Sequence, residues 1–229
     1  MKKIKELLDH IFIDGLSGMA QGLFATLIIG TIIQQIGTLI GGPRGDMIFA
    51  VGKVAAALTG AGIGVGVAAK FKESYLVVVS AATAGMVGAF ASKLLAGTVL
   101  VDGTMVFAGP GEPLGAFLAA YIGIECGHLV AGKTKVDILV TPIVTIGTGS
   151  LVGLLVGPGV SKIMTSLGAM INWGVEQQPF LMGIVVSVLM GMILTLPISS
   201  AALGIILNLS GLAAGAATAG SRPFSQAPS

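Results

Sequence analysis

The residues able to do chemistry in this chain are few, and several lie close together. Within Gly109-Pro110-Gly111-Glu112-Pro113-Leu114, and the run from Leu118 through Tyr121 to Glu125-Cys126-Gly127-His128, two carboxylates and an imidazole sit in or beside apolar sequence. Glu125 and His128 are three apart, so they share a face of any helix they occupy, and together they suit the hydroxyls of a polyol. Two readings stand for them. They form a substrate site inside the membrane, or they lie near the end of a span and snorkel or pair with Lys133 or Lys135. Glu112 stands between Gly111 and Pro113, where the backbone is forced out of helix and leaves amides and carbonyls free beside the charge. It is either part of a substrate or ion site, or a simple acid at the start of a helix whose first residue is Pro113. Gly111 joins it as a candidate contact, as does Thr83, a hydroxyl within another apolar run.

Other chemistries lack their residues. There is no Gly-Lys-Ser/Thr phosphate loop and no spacing of metal ligands, and the two histidines, His10 and His128, are far apart in sequence. The chain is therefore expected to carry no catalytic residue, no metal site and no cofactor, with energy for transport supplied by an ion gradient or a partner protein. The single cysteine, Cys126, excludes an intrachain disulfide and reads as a small apolar filler. A net charge of +2, with basic residues scattered in twos and threes, is not the footprint of a nucleic-acid binder.

The elements that must position these residues are membrane helices. Of 229 residues, 54% are hydrophobic and 10% charged, against about 25% charged in a soluble domain, and the mean hydropathy is +0.99. At about 20 apolar residues per span, residues 1–220 make one all-α, polytopic integral membrane helical bundle of about six or seven spans. Spans are expected near 11–40, 47–69, 75–97 and 113–131. A fifth runs from 138 to a break at Gly157-Pro158-Gly159, and two more cover 180–196 and 198–220. Residues 98–111 are expected as a loop that can re-enter the membrane, and 160–172 as an interfacial piece. The 36 glycines recur inside apolar runs, as in Gly60-Ala61-Gly62-Ile63-Gly64, which marks close interhelical seams. Lys53 and Lys93 read as snorkelling residues, or as cations that neutralise Asp102 or Glu112 across an outer vestibule.

Lysines fall at the N-terminus, at Lys70 and Lys72, and at Lys133 and Lys135, which puts the N-terminus and those two turns on the cytoplasmic side. Ala81-Ala82-Thr83-Ala84-Gly85 recurs as Ala216-Ala217-Thr218-Ala219-Gly220, a possible duplicated unit such as transporters use. Residues 221–229 form a polar tail that cannot finish a helix and looks non-native.

Residues Gly109 to Phe117, Glu125, and His128-Leu129-Val130-Ala131-Gly132-Lys133-Thr134-Lys135-Val136-Asp137-Ile138-Leu139-Val140-Thr141-Pro142 give the chain a family likeness. It resembles the phosphotransferase-system enzyme IIC-type membrane permeases that include the perfringolysin (toxin) regulators. The likeness extends from about Met19 to Gly220, and the Gly-Lys-Thr-Lys-Val-Asp-Ile turn is its most specific part. Members are longer than this chain, so the resemblance implies C-terminal truncation. It further implies a permease subunit in the bacterial inner membrane that translocates a sugar-like molecule by alternating access and works with separate cytoplasmic phosphoryl carriers, as a homodimer within the lipid bilayer. In other enzyme IIC proteins a Gly-x-x-Glu-Pro glutamate contacts sugar hydroxyls, and the Gly109 to Pro113 pattern is similar. A membrane sensor or regulator of toxin expression, and an ion-coupled transporter of a small anion, are the competing functions.

Overall fold

The computed structural model describes residues 10–101, 104–107, 109–177 and 183–184. It contains two units, Met1–Ser161 and Lys162–Ser229, and every candidate site residue lies in the first.

The first hydrophobic segment is a continuous apolar helix, Ile13–Ile40. It is assembled from α1 (Leu16–Leu23) and α2 (Ile29–Ile40), joined by a π-helical turn at Phe24–Ile28 and preceded by another at His10–Gly15. Gly41 and Gly42, at φ of +63° and +64°, then reverse the chain into α3 (Gly42–Ala57), which packs back along α2. Only residues lacking a side chain allow that approach. A Cβ on Gly37 would stand 2.7 Å from the Gly45 carbonyl oxygen, and one on Gly52 would stand 2.6 Å from that of Gly30. In lipid, where apolar surface gains nothing by leaving the solvent, such backbone contact is what holds helices together.

Helix α3 bends by 52° into α4 (Thr59–Lys70). Thr59 is fully buried and donates its hydroxyl to the Ala56 carbonyl at 2.6 Å, which satisfies the hydroxyl at the bend. The glycine seams continue inward. Gly18 and Gly22 of α1 lie against Gly66 and Gly62 of α4, and Gly60 and Gly64 of α4 lie against Gly85 and Ala81 of α5 (Tyr75–Ala89). Gly88 of α5 in turn meets Gly115 of α7 (Pro113–Val130). Leu23, Ile63, Val67, Val77 and Ile124 fill the space between these seams.

Three expectations need correction. The span expected at 75–97 stops at Ala89, and after the buried Phe90 a short α6 (Ala91–Leu95) sets off anew. The 15 residues of α5 cover about 22 Å, less than the ~30 Å of a hydrocarbon core. The segment 98–111 is not bare loop, since β1 (Leu100–Val101) pairs antiparallel with β2 (Thr104–Met105). The third concerns Gly157-Pro158-Gly159, where α8 (Asp137–Gln177) runs on without a break and takes residues 160–172 with it. Proline removes one intrahelical bond, but in an apolar segment ending the helix would strand several backbone groups.

Among the described residues three helices are long and apolar enough to cross a membrane, Ile13–Ile40, Pro113–Val130 and Asp137–Ser166, or four if α3 and α4 form one bent span. The chain is thus an all-α membrane helical protein. The expected spans at 180–196 (apart from 183–184) and 198–220, the second copy of the repeat and the tail 221–229 lie outside the described residues.

Candidate functional site

Glu112 owes its position to the break in α5. When α5 ends at Ala89, the Ala89 carbonyl turns outward and accepts the Glu112 N–H at 2.7 Å. Gly111 makes that approach possible. Its φ is +74°, and a Cβ there would meet the Ala89 Cβ at 2.7 Å and carbonyl oxygen at 2.8 Å. Pro113 then starts α7 with its φ already helical.

The Glu112 side chain makes no capping hydrogen bond at the start of α7. Its Oε1 is fully covered and has no hydrogen-bond partner among the described residues. Burial pushes the carboxyl above its ordinary 4.5, the nearby Leu114 N–H opposing it only in part. The remainder of the side chain borders a cavity of about 250 Å³ with Ala89, Ser92, Lys93, Pro110 and Gly111. The terminal torsion of a glutamate is broad and roughly two-fold, so rotation brings either oxygen to that cavity at little cost.

Pro110 also walls a second cavity, of about 530 Å³, lined in addition by Thr31, Gln34, Lys53 and Phe107. Phe107 is anchored there by its ring, 5.0 Å from that of Phe90 at the α5 break, and the Val106 N–H donates to Val99 at 2.8 Å. Lys53 and Lys93 each hold their ammonium 5.4 Å from a phenylalanine ring, Phe49 and Phe90 respectively.

Glu125 and His128 lie at the opposite end of α7, and each is joined to a different element. The carboxylate of Glu125 meets His10 Nε2 at 3.3 Å, with the Tyr121 hydroxyl alongside. The His10 ring stacks on Phe71 with centroids 3.9 Å apart, and Phe71 packs edge-on to Tyr121. His128 Nδ1 instead lies 2.9 Å and 3.1 Å from the two oxygens of Glu73. Glu73 is delivered by the turn after α4, in which the Lys72 N–H donates to Ala69 and the Glu73 N–H to Ala68, with Lys72 at φ +59°. That double bond pattern with a left-handed residue closes helices commonly, but with glycine in place of lysine. The expected pairing of His128 or Glu125 with Lys133 or Lys135 is not formed, because the Lys133 ammonium bonds the Leu129 carbonyl at 2.6 Å. The neighbouring turn is pinned by Asp137, whose Oδ1 accepts from Gly132 N–H and from the Thr141 hydroxyl.

The structure therefore brings Glu112 and Gly111 together and sets Glu125 and His128 apart from them. Thr83 is exposed on α5 and borders neither cavity. His10, Glu73, Thr31 and Gln34 were not singled out by sequence as site residues. No local pattern marks them, since their partners are 55 residues away in the His128 and Glu73 case. Among the described residues no three His, Cys, Asp or Glu side chains are grouped so as to hold a metal ion.

A family model described as "Phosphotransferase system, EIIC" matches residues 13–222. No curated protein and no solved structure matches the chain.

Proposed function

We propose, proceeding from the fact that this chain belongs to the phosphotransferase-system EIIC family, that it binds a sugar-like molecule at Glu112 and carries it across the bacterial inner membrane by alternating access. Membership makes the chain a multi-pass membrane permease subunit of a sugar phosphotransferase system, with separate cytoplasmic phosphoryl carriers as partners. The finer reading is our own.

The observation that carries it is the covered Glu112 oxygen without a partner, beside a cavity. A buried acceptor left unmade costs about 1–3 kcal/mol. A ligand hydroxyl that donates to it recovers that cost, so a hydroxylated molecule gains affinity that an apolar one of the same shape does not. Gly111 supplies the close backbone approach that keeps the carboxyl in place, and Lys93 and Ser92 border the same space. Glu125 with His10, and His128 with Glu73, tie the other end of α7 to the start of the chain and to the α4–α5 turn. In this reading they hold that end closed while the Glu112 end is open, and the N-terminus and lysine turns face the cytoplasm. We assign Thr83 no role.

Uptake of labelled sugars into proteoliposomes charged with the phosphoryl carriers tests the proposal. Loss of uptake in Glu112→Gln with the protein still folded supports it. Undiminished uptake and binding in that variant would remove Glu112 from the substrate site.

A further inference from the structure

The two cavities that share Pro110 are unequal in size, and they differ in that the smaller holds an acid beside its lysine, Glu112 with Lys93, whereas the larger holds Lys53 alone. Ligand pockets ordinarily measure about 300–1,000 Å³. The Glu112 cavity, at about 250 Å³, falls short of that range, whereas its neighbour, at about 530 Å³, lies within it. We infer that the larger cavity is a second ligand chamber adjoining the first across Pro110, and that Lys53 in it selects a polyhydroxylated ligand bearing an anionic group. This inference rests on the reading of Glu112 as a sugar site and adds the class of sugar.

The lining argues for a polar ligand with one negative end. Thr31 and Gln34 are three apart on α2 and so share a face. The Thr31 hydroxyl donates to Leu27 at 2.7 Å and the Gln34 amide to Gly30 at 3.3 Å, each within its own helix. Those bonds leave the hydroxyl lone pairs, the amide oxygen and a second amide hydrogen for hydroxyl groups. Across the seam, Gly52 sits so close to Gln34 that a Cβ would stand 2.7 Å from its Cγ, which brings the next residue, Lys53, to the same cavity.

Lys53 forms no ion pair among the described residues, its ammonium resting only near the Phe49 ring. Leu27, Ala56, Ala57 and Val106 make the surrounding wall apolar. Lys53 is exposed, and an anionic group on the ligand supplies the counter-charge that no described residue provides. Snorkelling explains the long stem of Lys53. It does not explain two hydrogen-bonding side chains turned to the same space. In the adjoining cavity Lys93 already stands beside the Glu112 carboxylate, whereas Lys53 has no acid in its own cavity, so the ligand orients with its charge at Lys53 and its hydroxyls toward Glu112.

The test uses the full chain in nanodiscs of phosphatidylcholine alone, which supplies no anionic lipid. Binding is measured for glucitol, gluconate, glucose 6-phosphate and acetate. Gluconate or glucose 6-phosphate is expected to bind more tightly than glucitol and acetate, the preferred one telling carboxylate from phosphate. Lys53→Met should erase the preference by about tenfold or more and Lys53→Arg should keep it. If the Met variant fails to fold, Lys53→Gln is read in its place, and if both fail, loss of the wild-type preference at high salt decides. The inference is overturned if no anionic polyol outbinds glucitol, or if the preference survives Lys53→Met. The two readings fail separately. Glucitol binding that depends on Glu112 but shows no Lys53-dependent preference sinks this inference alone, whereas glucitol binding unmoved by Glu112→Gln sinks the sugar site.

Discussion

Glu112 and Glu125 are the same residue type at two ends of one helix, thirteen positions and about 20 Å apart, and they live in opposite circumstances. Glu125 has its charge answered by His10, with the Tyr121 hydroxyl alongside. Glu112 has a fully covered oxygen with no partner among the described residues, no capping bond to its helix, and a cavity alongside. An ionisable residue in apolar sequence is a marker of function only until its partners are known. A satisfied one holds elements together, and an unsatisfied one is available to a ligand. The difference can be broken or sharpened by substitution.

The largest effect should come from Gly111→Ala. It adds a Cβ at a left-handed φ, costing about 1–2 kcal/mol, and drives that atom into Ala89, an overpacking that costs about 1–3 kcal/mol more. Gly109→Ala is the control, because Gly109 has φ +81° but open space around it, so only the conformational part applies. Thermal unfolding in detergent should fall much further for Gly111→Ala, with sugar binding lost. Equal losses for the two would mean that the contact with Ala89 does not set the Glu112 end.

Next comes Glu112→Gln. A hydrogen bond to a charged acceptor is worth about 1.5–3 kcal/mol, so sugar binding should weaken about tenfold to a hundredfold, with Glu125→Gln well below that. The pH dependence follows from burial. Because the folded carboxyl titrates above its ordinary 4.5, its contribution to stability is fully present below that value and declines as pH rises through the folded value. Glu112→Gln lacks this decline. Its melting temperature should therefore gain on the wild type as pH rises above the ordinary carboxylate range, and a constant gap across pH would contradict the burial argument.

A smaller and opposite effect is expected at the Glu125 end. Lys72 holds a left-handed φ of 59° in the turn that delivers Glu73, at a cost of about 1 kcal/mol that glycine does not bear. Lys72→Gly should raise the melting temperature and leave sugar binding unchanged. A fall would mean that the lysine side chain contributes more than its backbone costs.

What the sequence could disclose follows the same division. Helical membrane character, the glycine seams and the start of α7 at Pro113 are local properties, written in composition and in the Gly-Pro-Gly-Glu-Pro order. The stop at Ala89 was not visible, because it depends on a carbonyl captured by Glu112 from a distant loop. Nor was the continuation through Pro158, where local proline preference yields to the need to keep backbone groups paired. Glu112 and Gly111 were legible as neighbours. Glu125 and His128 shared a face as expected, yet their partners came from His10 and Glu73, which no spacing announces.

Those two contacts carry the smallest expected effect. His10 and Glu125 are 40% and 43% exposed at their side chains, so solvent screens that pair, while in the other His128 is 67% exposed and Glu73 10%, so solvent reaches it from the histidine side. Exposed ion pairs are worth about 0.2–1 kcal/mol, and the His10 ring adds its stacking on Phe71. His128→Ala should change the melting temperature little, and His10→Ala somewhat more, since it removes the ring contact as well as the charge. If these pairs hold one end of α7 closed, removing both should speed opening at that end while leaving equilibrium sugar binding at the other nearly untouched. Accessibility of a cysteine introduced at Leu129, measured by labelling rate in a background where Cys126 is serine, reads this directly. Faster labelling in the double variant with unchanged sugar affinity would separate the two ends in function as they are separated in structure. A matching loss of sugar affinity would show that the carboxylate without a partner depends on the carboxylate that has one.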